Sequence, residues 1–245
     1  MRTAARRLVR GIVTTAPRIF ADRAAGGAAL AEVLRHRRLP LPLLVLALPR
    51  GGVAVAVPVA QALRAPLDVL IVRKVGAPGN PELASGAVAS GGITVWESTL
   101  HRDYPELAVT LEPLAEAERR EIERREGIYR AGLPPLALAG KTVILVDDGL
   151  ATGSTMLAAV RAARAARAGR IVVAAPVASP EAARLVRAEA DETVILQTPV
   201  NLFAVGQWYG QFEQLDDVEV CRLLELARAG TAATAGDGHR DPYPQ

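Results

Sequence analysis

The stretch VILVDDGLATGST, Val143 to Thr155, decides how this chain is read. Four apolar residues, Val143 to Val146, end in two adjacent acids, Asp147 and Asp148. A short β-branched run of this kind is a buried strand. A glycine-containing loop with hydroxyls follows and opens a helix, and the carboxyl ends of strands are where α/β sheets take ligands. Gly149, Ala151 and Gly153 let a ligand approach the backbone closely. Unpaired N–H groups at a helix start, with the helix dipole behind them, favour a phosphate. Thr152, Ser154 and Thr155 add hydroxyl donors. Two acids just upstream would repel that phosphate, so they face something else, either sugar hydroxyls or a metal ion. The stretch therefore describes a sugar-phosphate site, with phosphate on the loop and ribose hydroxyls on the acids.

Rival loops fit less well. A Walker A loop needs G-x-x-x-x-G-K-[ST]; here the lysine is missing and the glycine spacing is one short. The G-x-G-x-x-G dinucleotide fingerprint is absent. A receiver-type metal site explains an acid pair at a strand end but not the Thr-Gly-Ser-Thr that follows. A purely structural turn leaves both the acids and the hydroxyls without a purpose.

Outward from this stretch, apolar runs alternate with helical segments. Strands are expected at Leu43–Leu48, Leu67–Val72, Val143–Val146, Ile171–Ala175 and Thr193–Leu196. Helices are expected at Val53–Leu63, at Thr155–Ala168 before Gly169, and at Pro180–Ala190 with Ser179 as N-cap. Such alternation predicts a parallel sheet covered on both faces. Two regions break the pattern. Gly76–Gly92, rich in Gly, Pro, Ala and Ser, reads as a long functional loop. Pro113–Arg130 reads as a solvated helix laced with Glu–Arg pairs, not as a nucleic-acid surface. Residues 1–15 read as a flexible N-terminus, 16–229 as one domain and 230–245 as a disordered tail.

Composition narrows the class. Of 245 residues, 50% are hydrophobic and 22% charged, as in globular domains, and the length suits a self-sufficient core. Cys221 is the single cysteine, which excludes a disulfide framework and a cysteine-based zinc site. A net charge of +3 and 4% aromatic residues do not suggest a nucleic-acid partner. The basic residues 1–15 lack the apolar run of a secretory leader. Leu43–Leu63 carries Arg50 and two prolines, so it does not read as a membrane span, and a cytoplasmic protein is expected.

VILVDDGLATGST resembles the phosphoribosyl-pyrophosphate (PRPP) signature of the type I phosphoribosyltransferases: a hydrophobic strand, two acids and a short loop ending in T-G-x-T. The resemblance extends from about Phe20 to Leu196. ALPRGG (Ala47–Gly52), VRKVGAPGNPE (Val72–Glu82) and AVGQWYGQF (Ala204–Phe212) are similar to a group of these proteins whose substrate is unassigned. The resemblance implies a Rossmann-like α/β fold, a parallel twisted sheet with helices on both faces, plus a mobile loop and a small hood. The hood would draw on residues 198–229 and on an N-terminal helix.

It also implies an activity: transfer of a phosphoribosyl group from PRPP, with Mg²⁺, to a small nitrogenous base, releasing pyrophosphate. Asp147 and Asp148 match the acids that bind the ribose 2′- and 3′-hydroxyls, and Asp148 is the candidate metal ligand. Leu150, Ala151, Thr152, Gly153, Ser154 and Thr155 match the 5′-phosphate loop. Arg50, Gly51 and Gly52 match the pyrophosphate loop, where a cis peptide is common in the family; Arg73 and Lys74 match basic residues that contact pyrophosphate. Asp147, Asp148, Arg50 and Lys74 form the implied catalytic set. Gly76–Gly92 matches the mobile loop, whose only charged residue, Glu82, is the candidate general acid or base. Phe203, Trp208 and Tyr209 either form a hood stacking on the base or pack a core or dimer contact. In relatives acting on 6-oxopurines an acid of the phosphate loop assists proton transfer at the base; here that position is Ala151, which counts against such a substrate. A homodimer is the family expectation. A regulatory protein that binds PRPP or a nucleotide without chemistry is the alternative, and hydrolysis or phosphorolysis at a ribose phosphate a weaker one.

Overall fold

A computed structural model of the chain describes residues 18–77, 80–96 and 107–236, without the side chains of 80–84, 107–109 and 230–236. Its centre is a five-stranded parallel sheet in the order β2-β1-β6-β7-β8. The strands are β1 (Leu43–Ala47), β2 (Leu67–Val69), β6 (Thr142–Val146), β7 (Arg170–Val177) and β8 (Glu192–Gln197). Strand alternation sorts the core into two layers. Ile144, Val146, Val172 and Ala174 pack with α1 (Arg23–Leu34), α2 (Gly51–Leu63) and α6 (Asp217–Gly236). Val143, Leu145, Ile171 and Val173 pack with α4 (Ser154–Ala165) and α5 (Pro180–Arg187). All five expected strands form and the parallel sheet is covered as the sequence predicts, but the strand expected over Leu67–Val72 ends at Val69, and Val72 begins a strand of a second sheet. Ser179 caps α5 through Ala182 N at 2.9 Å, with Pro180 in the first turn.

In chain order the five strands read 2-1-3-4-5, so the chain reverses direction across the sheet between β1 and β6. This is the switch point at which open α/β sheets leave a crevice. Helix α2 leaves the end of β1 and α4 the end of β6, so both helix N-termini open on that crevice. α2 begins at Gly51, two residues earlier than expected. It is apolar nearly throughout because it is buried between the sheet, α1 and α6.

Gly76–Gly92 departs from expectation. It is not a loop but most of a three-stranded antiparallel sheet, β3 (Val72–Ala77), β4 (Asn80–Ala89) and β5 (Ile93–Trp96). Its small residues, read as loop composition, are there because the sheet is pressed between α3 (Leu107–Tyr129) and α4. Ser85, Ala87, Val88, Ala89 and Ser90 are buried, and a Cβ at Gly86 would lie 2.6 Å from the Trp96 ring on the neighbouring strand. The charged helix α3 carries the expected surface ion pairs, Arg119–Glu116 and Arg125–Glu121 among them, and buries Leu111, Ala115, Ile122 and Tyr129 on its other side. Residues 1–15 lie outside the described residues. The tail expected from Gly230 is helical as far as Gly236, where α6 ends, and 237–245 lie outside the described residues. α6 is core rather than hood: Val220, Leu224 and Ala227 are buried beside α2. No helix among the described residues is long and apolar enough to cross a membrane.

Two glycines separate close packing from helix propensity. A Cβ at Gly27 in α1 would lie 2.3 Å from the Val55 carbonyl of α2, whereas one at Gly127 in α3 meets nothing within 4 Å. Gly127→Ala is expected to stabilise by about 0.5–1 kcal/mol. Gly27→Ala should instead destabilise by about 1–3 kcal/mol, because overpacking outweighs propensity. Urea midpoints with unchanged slopes check both.

Candidate active site

The loop between β6 and α4 is tied down at one end and open at the other. Leu150 N–H donates to the Val177 carbonyl and Ser179 N–H to the Leu150 carbonyl, both at 2.9 Å. Leu150 is buried. It is thus an anchor whose backbone is committed to β7 and the α5 cap, not a phosphate contact as the resemblance implied. The N–H groups of Ala151, Thr152 and Gly153 have no acceptor among the described residues, and Ala151 and Thr152 are exposed. Ser154 N–H has only a 3.4 Å contact to Thr152 Oγ1, and the Thr152 and Ser154 hydroxyls lie 2.9 Å apart. Gly153 has φ +76°, and a Cβ there would lie 3.0 Å from Ala182, so only glycine fits. The result is a ring of unpaired donors at the positive end of α4, suited to a phosphate dianion.

Beside this cradle stand the two acids, both partly buried. Burial and then the adjacent Asp148 charge push the Asp147 carboxyl well above the usual carboxylate range. Burial also raises Asp148, opposed by its bond from Arg23. Asp147 Oδ1 accepts from Asp148 N–H at 2.9 Å, and Asp148 Oδ2 accepts from Arg23 Nε at 2.8 Å. Tyr209 Oη donates to the Asp148 carbonyl. Arg23 was not singled out in the sequence, where a lone arginine at a helix start reads as a surface charge. A signal was present: Asp22, the N-cap whose Oδ1 accepts from Ala25 N–H at 2.7 Å, fixes Arg23 as the first residue of α1.

The turn after β1 closes the other side. Its Pro49–Arg50 peptide is cis, one bond before the Arg50–Gly51 link. Gly51 and Gly52 carry α2 hard against the end of β6. A Cβ at Gly51 would fall 1.9 Å from Asp148 Oδ2, and one at Gly52 2.6 Å from the Val146 carbonyl. Arg50 extends toward Asp217, with 4.0 Å between Nη1 and Oδ1, and the same carboxylate accepts from Tyr129 Oη at 2.5 Å.

Strand alternation separates the two basic residues of β3. Lys74 is exposed and lines a cavity with Gly86, Val95 and Ser154, on the side of the phosphate-loop helix. Arg73 faces the opposite way and pairs with Glu118 of α3 at 2.6 Å. Only Lys74 is therefore brought toward the loop. Glu82 lies on β4, and its side chain falls outside the described residues.

The hood is built from residues 18–23 and 197–213. Phe20 N–H bonds the Trp208 carbonyl, Gly210 N–H the Phe20 carbonyl and Gln211 N–H the Ala21 carbonyl. Gln197 clasps the Arg18 backbone from both sides, at 2.6 and 2.7 Å. Of the three candidate hood aromatics, Tyr209 is buried, stacked on Phe212 at 5.1 Å and tilted against Phe20 at 5.8 Å, so its ring is packing and not an open platform. Trp208 is half-buried, with an indole N–H that has no partner among the described residues. Phe203 stands exposed. Among the described residues no group of three or more His, Cys, Asp or Glu side chains is arranged to hold a metal.

Unpaired amides at the start of α4 and an acid pair at the end of β6 thus stand together at the switch point of the parallel sheet. The family model for the phosphoribosyl transferase domain matches residues 24–207, and the chain belongs to this family. It is 40% identical over 226 residues to two Mycobacterium tuberculosis proteins, from strains CDC 1551 and H37Rv, named provisionally as phosphoribosyl transferases. That match covers 92% of this chain and 51% of each relative, so the chain spans about half the length of the curated relatives it matches. The solved structure of TT1426 from Thermus thermophilus is 45% identical, with a TM-score of 0.77, over 84% of this chain and 97% of that one.

The contact between Gly51 and the acid pair generates a prediction. Gly51→Ala must move either α2 or the Asp148 carboxylate. It is expected to cost about 1–3 kcal/mol of stability and, if the loop and the acids take a sugar phosphate, to weaken ribose 5-phosphate binding at least about tenfold. Urea unfolding and titration calorimetry read the two losses; an unchanged affinity would show that Asp148 is not part of the binding surface.

Proposed function

We propose that this protein transfers a 5-phosphoribosyl group from PRPP to a small nitrogenous base and releases pyrophosphate. The observation that carries the reading is the set of unpaired amides at Ala151, Thr152 and Gly153 beside the partly buried acids Asp147 and Asp148. A phosphate would satisfy the amides and a pentose diol the acids.

On this reading the bond from C1 of the ribose to the pyrophosphate oxygen breaks, and its electron pair leaves with pyrophosphate. The ribose acquires oxocarbenium character, and the lone pair of a base nitrogen closes the new C1–N bond. The base gives up its N–H proton, for which Glu82 is the candidate acceptor. The chain contributes mainly position and field. Asp147 and Asp148 hold the hydroxyls and favour positive charge on the sugar. Arg50 is anchored within reach of Asp217, at the mouth of α2, and Lys74 stands beside the cradle; both face developing charge on the pyrophosphate. Mg²⁺ binds through phosphate oxygens, waters and one or two carboxylates. The two acids present suit a metal carried in on the pyrophosphate, with Asp148 as the candidate protein ligand, and when bound it neutralises the leaving group. Phe203 is the aromatic left open to stack on the incoming base.

Pyrophosphate release from PRPP and Mg²⁺ across a panel of bases tests the reading. Asp148→Asn should weaken PRPP binding with the circular dichroism spectrum intact. Lys74→Ala should lower kcat about 10²-fold, the scale of one lost charge-stabilising donor, while Arg73→Ala, on the opposite face of β3, should change it less than about threefold. PRPP binding without release on any base would favour a regulatory protein of the same fold. Absence of PRPP binding would overturn both.

A further inference from the structure

Arg23 is a charge that the fold has buried. Its side chain is 11% exposed, and its contacts form a closed circuit. Nε donates to Asp148 Oδ2 at 2.8 Å and Nη1 to the Glu213 carbonyl at 2.8 Å. The guanidinium lies 3.7 Å from the centroid of Phe212, Phe212 stacks on Tyr209, and Tyr209 Oη returns to the Asp148 carbonyl. The hood therefore grips Asp148 by both its side chain and its backbone. Asp148 has no other side-chain partner among the described residues. A guanidinium has a rigid fork and a flat face, so stacking on Phe212 fixes where Nε points. Oδ2 lies against Gly51, where a Cβ would fall 1.9 Å from it. A buried arginine held only for stability has no need of a partner at the ligand end of the sheet, and an ion pair of this depth is a poor source of stability.

We infer that Arg23 is a positioning residue of the pentose site: held between Phe212 and the Glu213 carbonyl, it engages one Asp148 oxygen and fixes the carboxylate in the orientation that receives a sugar hydroxyl. It acts through Asp148 and makes no contact with the phosphate cradle. The inference rests on the phosphoribosyl reading and adds to it the part of the hood that sets the selectivity for hydroxyls.

The test separates hydroxyl-dependent binding from phosphate binding. Titration calorimetry with ribose 5-phosphate and with 2,3-dideoxyribose 5-phosphate gives a ratio of affinities for each protein. The wild type should prefer the hydroxylated ligand at least about tenfold, as expected for hydrogen bonds to charged groups. In Arg23→Gln the ratio should fall to about threefold or less, with dideoxy affinity within about twofold of wild type; Arg23→Lys, which keeps the charge but not the stack, should fall between. A wild-type ratio in folded Arg23→Gln overturns the inference, as does an equal loss for both ligands, which marks a merely structural arginine. If Arg23→Gln does not fold, Arg23→Lys decides: a ratio below that of the wild type supports the inference, and a wild-type ratio overturns it. A wild type without preference overturns the phosphoribosyl reading itself, whereas a wild-type preference that survives in the variants overturns only the role of Arg23.

Discussion

The structure turns on the close approach of the β1–α2 turn to the end of β6. Two glycines without side chains let one strand's exit lie against the next strand's acids. Every other part of the site is measured from that contact. Because Gly52 rests on the Val146 carbonyl, α2 can start at the carboxyl edge of the sheet. Because Gly51 has no side chain, the Asp148 carboxylate can lie against the start of α2. Two helix N-termini thereby face one crevice, and their dipoles add where a polyphosphate ligand would lie.

This arrangement sets stability against function. Two adjacent carboxylates at the end of an apolar sheet are disfavoured by burial and by each other, which is the cause of the upward shift at Asp147. The chain offsets part of that cost through Arg23 and through the backbone amide that Asp147 accepts. A more stable molecule would have apolar residues in both positions, and would have no site. Desolvation and charge repulsion concentrated at one edge of an otherwise apolar sheet are what a binding site looks like energetically.

How far the sequence could be read follows from the same physics. β6 and its loop were legible because a buried parallel strand is an unbroken apolar run, and because hydroxyls and glycine at a helix start have few other uses. The α5 start was legible from Ser179 and Pro180, a cap chemistry that is local. The β3–β4–β5 sheet was not, because residues such as Gly86 and Ser85 signal a loop by composition, and only α3 and α4 closing on both faces make small residues the right ones for a strand. Leu150 reads like its neighbours in the sequence, since nothing local says that its amide bonds Val177 across the sheet. Tyr209 was legible as an aromatic of the hood but not as packing, since its partners Phe20 and Phe212 come from two separate segments. Arg23 lies 125 residues from Asp148, and no local pattern joins them.

The pair Arg73–Lys74 shows why a resemblance must be passed through local geometry before it becomes a mechanism. Both residues match basic positions of the family signature. The antiparallel sheet gives them period-two alternation, so two neighbouring side chains must part to opposite faces. One face meets Glu118 on α3, where a carboxylate 2.6 Å away satisfies a guanidinium within the chain. The other meets α4 across a cavity that Ser154 and Arg161 also line, where the charge of Lys74 stays open to a ligand. If a single cation serves the pyrophosphate from this strand, strand geometry selects Lys74. That same geometry commits Arg73 to holding α3 against the small sheet, whose packing between two helices keeps β3 in place beside the phosphate loop.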